Sequence, residues 1–154
     1  ILTYLEQGLV LTEQVHDRPS QALCANSLGI GQVMLQQYDL AIPVLEKGLQ
    51  IAQAIGDQFL QGMNYSYLAI AYLHQDNADM AVFCAALGMY LLWQINSSQW
   101  QQPAGTLAIL QGQLGSETFQ SALAAYRLAF LKQIGVDGYD YLPQLLADYR
   151  QSLD

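Results

Sequence analysis

Residues 4–17, YLEQGLVLTEQVHD, return at residues 44–57 as VLEKGLQIAQAIGD. Leu5, Gly8, Leu9, Leu11, Val15 and Asp17 correspond to Leu45, Gly48, Leu49, Ile51, Ile55 and Asp57, each 40 positions later, and one further step brings Gly88 beneath Gly48. A second marker keeps the same beat: Leu28-Gly29, Leu68-Ala69, Leu107-Ala108 and Leu146-Ala147 are separated by 40, 39 and 39 residues. A fixed period of this size marks a solenoid, in which each unit is too small to bury its own apolar face and must stack on its neighbours.

Within a unit the apolar spacing is helical. Leu28, Val33, Leu35, Ala41, Ile42, Leu45, Leu49, Ile51 and Ile55 recur at three- and four-residue intervals, broken near Gln36 to Asp39, which predicts two amphipathic helices and a tight turn. Gly56, Asn96 and Gly135 stand where the second helix of successive units ends, and these residue types readily take the left-handed conformation that closes a helix. Laid along the chain, the pattern predicts about eight helices, near 1–16, 20–36, 39–55, 59–74, 77–95, 101–114, 117–134 and 141–153, and no strands. Ser116 followed by Glu117 reads as an N-cap, Pro103 and Pro143 as helix openings, and Pro43 as tolerated about one turn into its helix. The third unit has a turn two residues longer than its siblings but the same total length, so a displaced turn near Gly112 to Ser116 and a shorter second helix are expected.

The units so defined resemble the tetratricopeptide repeat, whose marks are a Leu-Gly pair, an aromatic residue three positions on, and small residues in the second helix. Leu28-Gly29 with Ala41 and Gly48, Leu68-Ala69 with Tyr72, Ala81 and Gly88, and Leu107-Ala108 with Ala122 and Ala129 carry the resemblance. The departures are Gln32 and Gln111 at the aromatic position, and Gln53 and Trp93 where the family closes with Pro. Losing that Pro lengthens the second helix to give a 40-residue unit where about 34 is usual, as in kinesin-light-chain-like and many bacterial regulatory members. The resemblance implies an all-α, right-handed superhelical solenoid of antiparallel helix pairs. It divides one domain, 1–154, into a second helix at 1–18, full repeats at 19–58, 59–98 and 99–138, and a first helix of a further repeat or cap at 139–154. On that register the chain begins and ends in mid-repeat. It therefore reads as a piece of a longer polypeptide, and the face carrying Leu5, Leu9 and Leu11, or the run Met89 to Trp93, is expected to drive self-association.

Composition narrows the function classes. The net charge of −8, from 13 acidic against 5 basic residues, repels phosphate backbones and anionic lipid, so neither nucleic acid nor membrane is expected as a partner. The absence of a long uninterrupted apolar run predicts a soluble, cytoplasmic chain, and usage rich in Gln and poor in Lys points to a bacterial source. Cys24 and Cys84 lie in different repeats and read as small buried hydrophobes, not a disulfide. The acidic pairs Asp76/Asp79 and Asp137/Asp140 fall at helix starts or loops. His16 and His74 lack a ligand cluster, and neither a phosphate loop nor a nucleophile elbow occurs. A non-catalytic chain without metal or cofactor is the expectation.

The resemblance places the working surface in a concave groove lined by the first helix of each unit. Carried over position by position, that implies Asn26, Ile30, Val33 and Met34, then Met63, Ser66, Ile70, Leu73 and His74, then Ile109 and Gln113. None is basic, which disfavours capture of an acidic peptide terminus and favours an amphipathic helix or hydrophobic peptide of a partner protein. The leading reading is an interaction scaffold. The alternatives are a sensor or autoregulatory segment of a larger signalling protein (NTPase, kinase or transcription regulator), and a peptide-pheromone receptor anchored through Asn26.

Overall fold

Five turns of identical geometry organise the chain, whose computed structural model describes residues 1–154. His16, Gln36, Gly56, Asp76 and Asn96 all have φ between 56° and 72°, and consecutive members of this series are 20 residues apart. In every case the following residue sends its N–H to the carbonyl five positions back. The bonds are Asp17 to Thr12 (3.0 Å), Gln37 to Gln32 (2.8 Å), Asp57 to Ala52 (2.9 Å), Asn77 to Tyr72 (2.9 Å) and Ser97 to Leu92 (3.0 Å). This is the Schellman closure, which satisfies carbonyls left over at a helix end. The same following residue usually opens the next helix: Asp17, Asp57, Asn77 and Ser97 accept side-chain cap bonds from the N–H of Ser20, Leu60, Met80 and Gln99. Gln37 makes no such bond. A turn this short can only fold the chain back on itself.

The turns separate α1 (Leu2–Gln14), α2 (Arg18–Met34), α3 (Tyr38–Ile55), α4 (Gln58–His74) and α5 (Ala78–Gln94). A 3₁₀ turn (Ser98–Trp100) leads into α6 (Gln101–Leu114), followed by α7 (Ser116–Ala125) and α8 (Arg127–Gln151). The molecule is all-helical, with eight α-helices and no strand. Each of α1 to α6 packs on the next in sequence. Beyond that, α2 touches α4, α4 touches α6 and α6 touches α8, whereas α1 with α3 and α3 with α5 make at most marginal contact; past α5 the contrast ends, because α5 touches both α7 and α8. The even-numbered helices therefore form a continuous row.

The helices approach closely because small residues lie at their crossings. A Cβ added at Gly48 of α3 would lie 3.0 Å from Asn64 Oδ1, 3.3 Å from Ala25 Cβ and 3.4 Å from the Asn26 backbone nitrogen. At Gly88 of α5 the same addition would meet Ser66 Oγ at 2.6 Å and the Ser66 backbone nitrogen at 3.0 Å. The main apolar core runs from Val33 to Leu146 and includes Leu45, Leu68, Leu87, Leu107, Phe130 and Leu145. Ala22, Ile51, Ala52 and Leu60 form a satellite, and Leu9, Ala25 and Leu28 another.

The C-terminal third departs from expectation. The displaced turn is present, at Gly115 (φ 78°), and α7 is indeed short. Ser116, however, is the first residue of α7 and makes no capping bond, because Gly115 occupies the cap position; Glu117 does lie in the first turn. The helix expected at 117–134 breaks at Tyr126. Phe83 meets Tyr126 at 5.0 Å and Phe130 at 4.9 Å between ring centroids, and this aromatic contact draws the segment onto α5. Gly135 does interrupt the helix where expected, but as a kink inside α8: at φ 71°, ψ 178° it has an extended ψ and not that of the usual left-handed cap, a conformation open essentially to Gly alone. Pro143 therefore lies well inside α8 and not at a helix opening, while Pro43 lies inside α3, which accommodates it. Pro103 is the third residue of α6, near its start as expected.

Four of the five left-handed turn residues carry a Cβ, which costs about 1–2 kcal/mol in that conformation. Gln36→Gly is thus expected to stabilise the fold by about 1 kcal/mol, and Gly56→Ala to destabilise it by a similar amount, in urea titrations. Gly88→Ala should cost about 2 kcal/mol through overpacking against Ser66. Gly112→Ala, at a helical site with nothing within 4 Å, should gain about 0.5–1 kcal/mol. Equal effects at Gly88 and Gly112 would contradict the close packing of α4 and α5.

Candidate functional site

The even-numbered helices α2, α4 and α6 carry accessible residues at matching register positions, which together form a stripe. On α2 one row of accessible residues runs through Leu23 (56 % exposed), Ser27, Ile30 and Met34 (74 % exposed), at spacings of four, three and four. On α4, Met63, Tyr67 and Ile70 are half-buried and His74 is exposed, each 40 residues after its counterpart on α2. On α6 the row continues through Gln102, Ile109 (54 % exposed) and Gln113, each 39 residues later still. No charged side chain interrupts these three rows.

Six of the residues named from the sequence lie on this stripe: Ile30, Met34, Met63, Ile70, Ile109 and Gln113. His74 is exposed at the end of α4, where its ring stacks on Tyr38 at 4.7 Å and 3° between planes, so it forms the border of the stripe with the α2–α3 turn. Asn26 and Ser66 are not surface groups. Asn26 is buried at the crossing of α2 with α3, and its Nδ2 has no hydrogen-bond partner. Ser66 is fully buried, with its hydroxyl donating to the Gly62 carbonyl at 2.7 Å beside Gly88. Val33 belongs to the core, and Leu73 packs against it. Ser27 and Tyr67 take the places expected for Asn26 and Ser66. One residue is about 100° around a helix, enough to move a side chain from a groove to a helix crossing. The 40-residue spacing carries no signal that separates the two pairs, because Asn26 and Ser66 are as far apart as Ser27 and Tyr67.

The two surfaces expected to drive self-association also differ from expectation. Met89, Leu91 and Leu92 are buried in the core, and Tyr90 and Trp93 pack against it, so that run offers no face. On α1, Leu9 is buried and Leu5 packs against α2, leaving Tyr4, Val10, Leu11 and Val15 exposed.

The perturbed titratable groups lie off the stripe. The hydrogen bond from Lys47, and then its charge, hold the Glu13 carboxyl below its usual range, and hydrogen bonds from Ser20 do the same for Asp17. Burial pushes the Tyr65 hydroxyl up to about 12, with Cys84 adding and the Gln53 hydrogen bond opposing. Burial and then the bond to Glu46, accepted from Tyr72 at 2.8 Å, raise Tyr72; burial and then the Glu46 charge raise the Cys84 thiol well above its normal value. All five shifts move away from neutrality, the direction opposite to that of a group tuned for proton transfer at neutral pH. No three His, Cys, Asp or Glu side chains converge as metal ligands, and no helix is long and apolar enough to cross a membrane.

The chain matches no protein-family model, and no curated protein is similar to it at significance. Both cysteines are unpaired, Cys24 half-buried and Cys84 fully enclosed. Alkylation of the native protein by iodoacetamide is expected to modify Cys24 first and to reach Cys84 only after unfolding, as peptide mass spectrometry would show. Modification of both at equal rates would contradict the burial of α5.

Proposed function

We propose that this chain is a non-catalytic interaction module built as a tetratricopeptide-like array, which binds an amphipathic helix or hydrophobic peptide of a partner protein along the stripe of α2, α4 and α6. The observation that carries this reading is the stripe itself: accessible, mostly apolar residues at helical spacing on α2, repeated 40 residues later on α4 and continued on α6 by Ile109 between two glutamines, uninterrupted by charge. The contact pattern supports the curvature that such an array needs. Through α1 to α5, helices closer together on one side than on the other belong to an arc, and the row of α2, α4 and α6 would form its inner side, giving a right-handed superhelical solenoid with the stripe in its concavity. An apolar groove recognises the i, i+3, i+4 and i+7 anchors of a docked helix. With five basic residues, one of them paired to Glu13, the surface suits such a ligand better than an anionic polymer. Two unpaired thiols fit the reducing cytoplasm.

A displayed library of random peptides, selected on the whole chain, tests the assignment. The enriched peptides should carry helical apolar spacing and bind with micromolar affinity. The Ile30→Asp/Ile70→Asp variant, first shown by circular dichroism to be folded and helical, should bind them at least about tenfold more weakly, since each substitution places a charge in a desolvated contact. Selection of peptides whose affinity is indifferent to that double variant would remove the stripe from consideration.

A further inference from the structure

A second recessed surface lies where the repeat pattern fails. Between α6, α7 and the C-terminal half of α8 is a cleft of about 180 Å³. Its floor is made by Leu107, Phe119, Leu123, Leu142 and Leu146, all buried, and Arg150 is exposed beside them. The origin of the space is legible in the repeat register. Gln111, which lines the cleft, stands 39 residues after Tyr72, whose ring in the preceding unit packs against the core and whose hydroxyl is tied to Glu46. An amide cannot fill the volume of a phenol. The shortening of α7 at Tyr126 adds to the mismatch, because a ten-residue helix stands where the preceding unit has seventeen residues.

The chemistry of the cleft is one-sided. Arg150 is its only charged lining residue. The single ion pair of the molecule joins Lys47 and Glu13, so the guanidinium has no carboxylate within ion-pair distance. The nearby Asp148 accepts a bond from the Gln144 amide at 2.8 Å, and Asp140 lines a smaller adjoining cavity. A free guanidinium offers two parallel donors to a carboxylate, and the side chains of Gln111 and Gln120 add amide donors beside it. The net charge of −8 does not cancel this attraction at physiological salt, where exposed charges more than about 8 Å away are screened. A cavity of about 150 Å³ lined by similar residues accommodates benzene, so this cleft takes an apolar group of about the size of one phenyl ring.

We propose that the cleft binds a small free carboxylic acid carrying one aromatic or short aliphatic group, the apolar part on the leucine and phenylalanine floor and the carboxylate on Arg150. This assignment stands independently of the peptide stripe, which shares no residue with the cleft.

The test titrates 3-phenylpropanoate into the whole chain, followed by heteronuclear NMR. Saturable shifts should cluster at Leu107, Leu123 and Leu146. The neutral 3-phenylpropanamide should bind several-fold more weakly, and Arg150→Gln should lower affinity for the acid about tenfold and make acid and amide equal. Gln111→Tyr, which restores the aromatic side chain of the preceding unit, should abolish the shifts; the exposed Arg150→Gln variant decides the matter if the tyrosine variant does not fold. No saturable shift up to about 10 mM acid, or an unchanged affinity in Arg150→Gln, would overturn the proposal. So would equal or tighter binding of an acetylated tripeptide ending in phenylalanine, which would assign the cleft to a chain terminus.

Discussion

One backbone constraint organises the first two-thirds of this molecule: a single residue in the left-handed conformation every 20 residues, followed by a residue that closes one helix and opens the next. The closure engages carbonyls left over at the end of the outgoing helix, and the side chains of Asp17, Asp57, Asn77 and Ser97 each accept from one free N–H of the incoming one. With no slack in the connection, consecutive helices must lie antiparallel and in a fixed register. The strain of a Cβ at His16, Gln36, Asp76 and Asn96 is tolerated because every other hydrogen bond of the turn depends on that conformation.

Given that register, small residues recur at the crossings and bring backbones into contact. Gly48 and Gly88 do this for α3 and α5, and the polar side chains left inside, Asn64 and Ser66, meet helix carbonyls one turn back at Leu60 and Gly62. Asn26 Nδ2, Gln32 Oε1 and Asn64 Oδ1 lack partners in the buried region. Such polar positions lower the stability of a core while disfavouring slipped packings. The result is a scaffold whose odd-numbered helices back the even-numbered ones and leave an accessible stripe.

The pattern holds until α6 and then loosens. A longer turn, an aromatic cluster that stops α7 at Tyr126, and a kink at Gly135 replace the tight closure of the earlier turns. Where identical units stack, the space between them is filled identically. Where they differ, space is left over, and the cleft beside Arg150 lies at that mismatch. Regularity thus accounts for the stripe and irregularity for the cleft.

Helix type, helix number, the 40-residue unit and the displaced turn at Gly115 were all determined by the sequence alone, because they follow from local periodicity and from residues that bend the chain where they stand. The left-handed Gly56 and Asn96 were legible for the same reason; His16, Gln36 and Asp76 were not, since there the residue type does not signal the conformation and only the bond from the following N–H to the carbonyl five positions back holds it. Tertiary structure alone decided that Asn26 and Ser66 face helix crossings while Ser27 and Tyr67 face outward, that Met89 and Leu92 are core, and that α7 ends at Tyr126. Each depends on which side of a helix meets a distant neighbour, and a rotation of about 100° per residue separates burial from exposure without changing the periodicity that sequence displays.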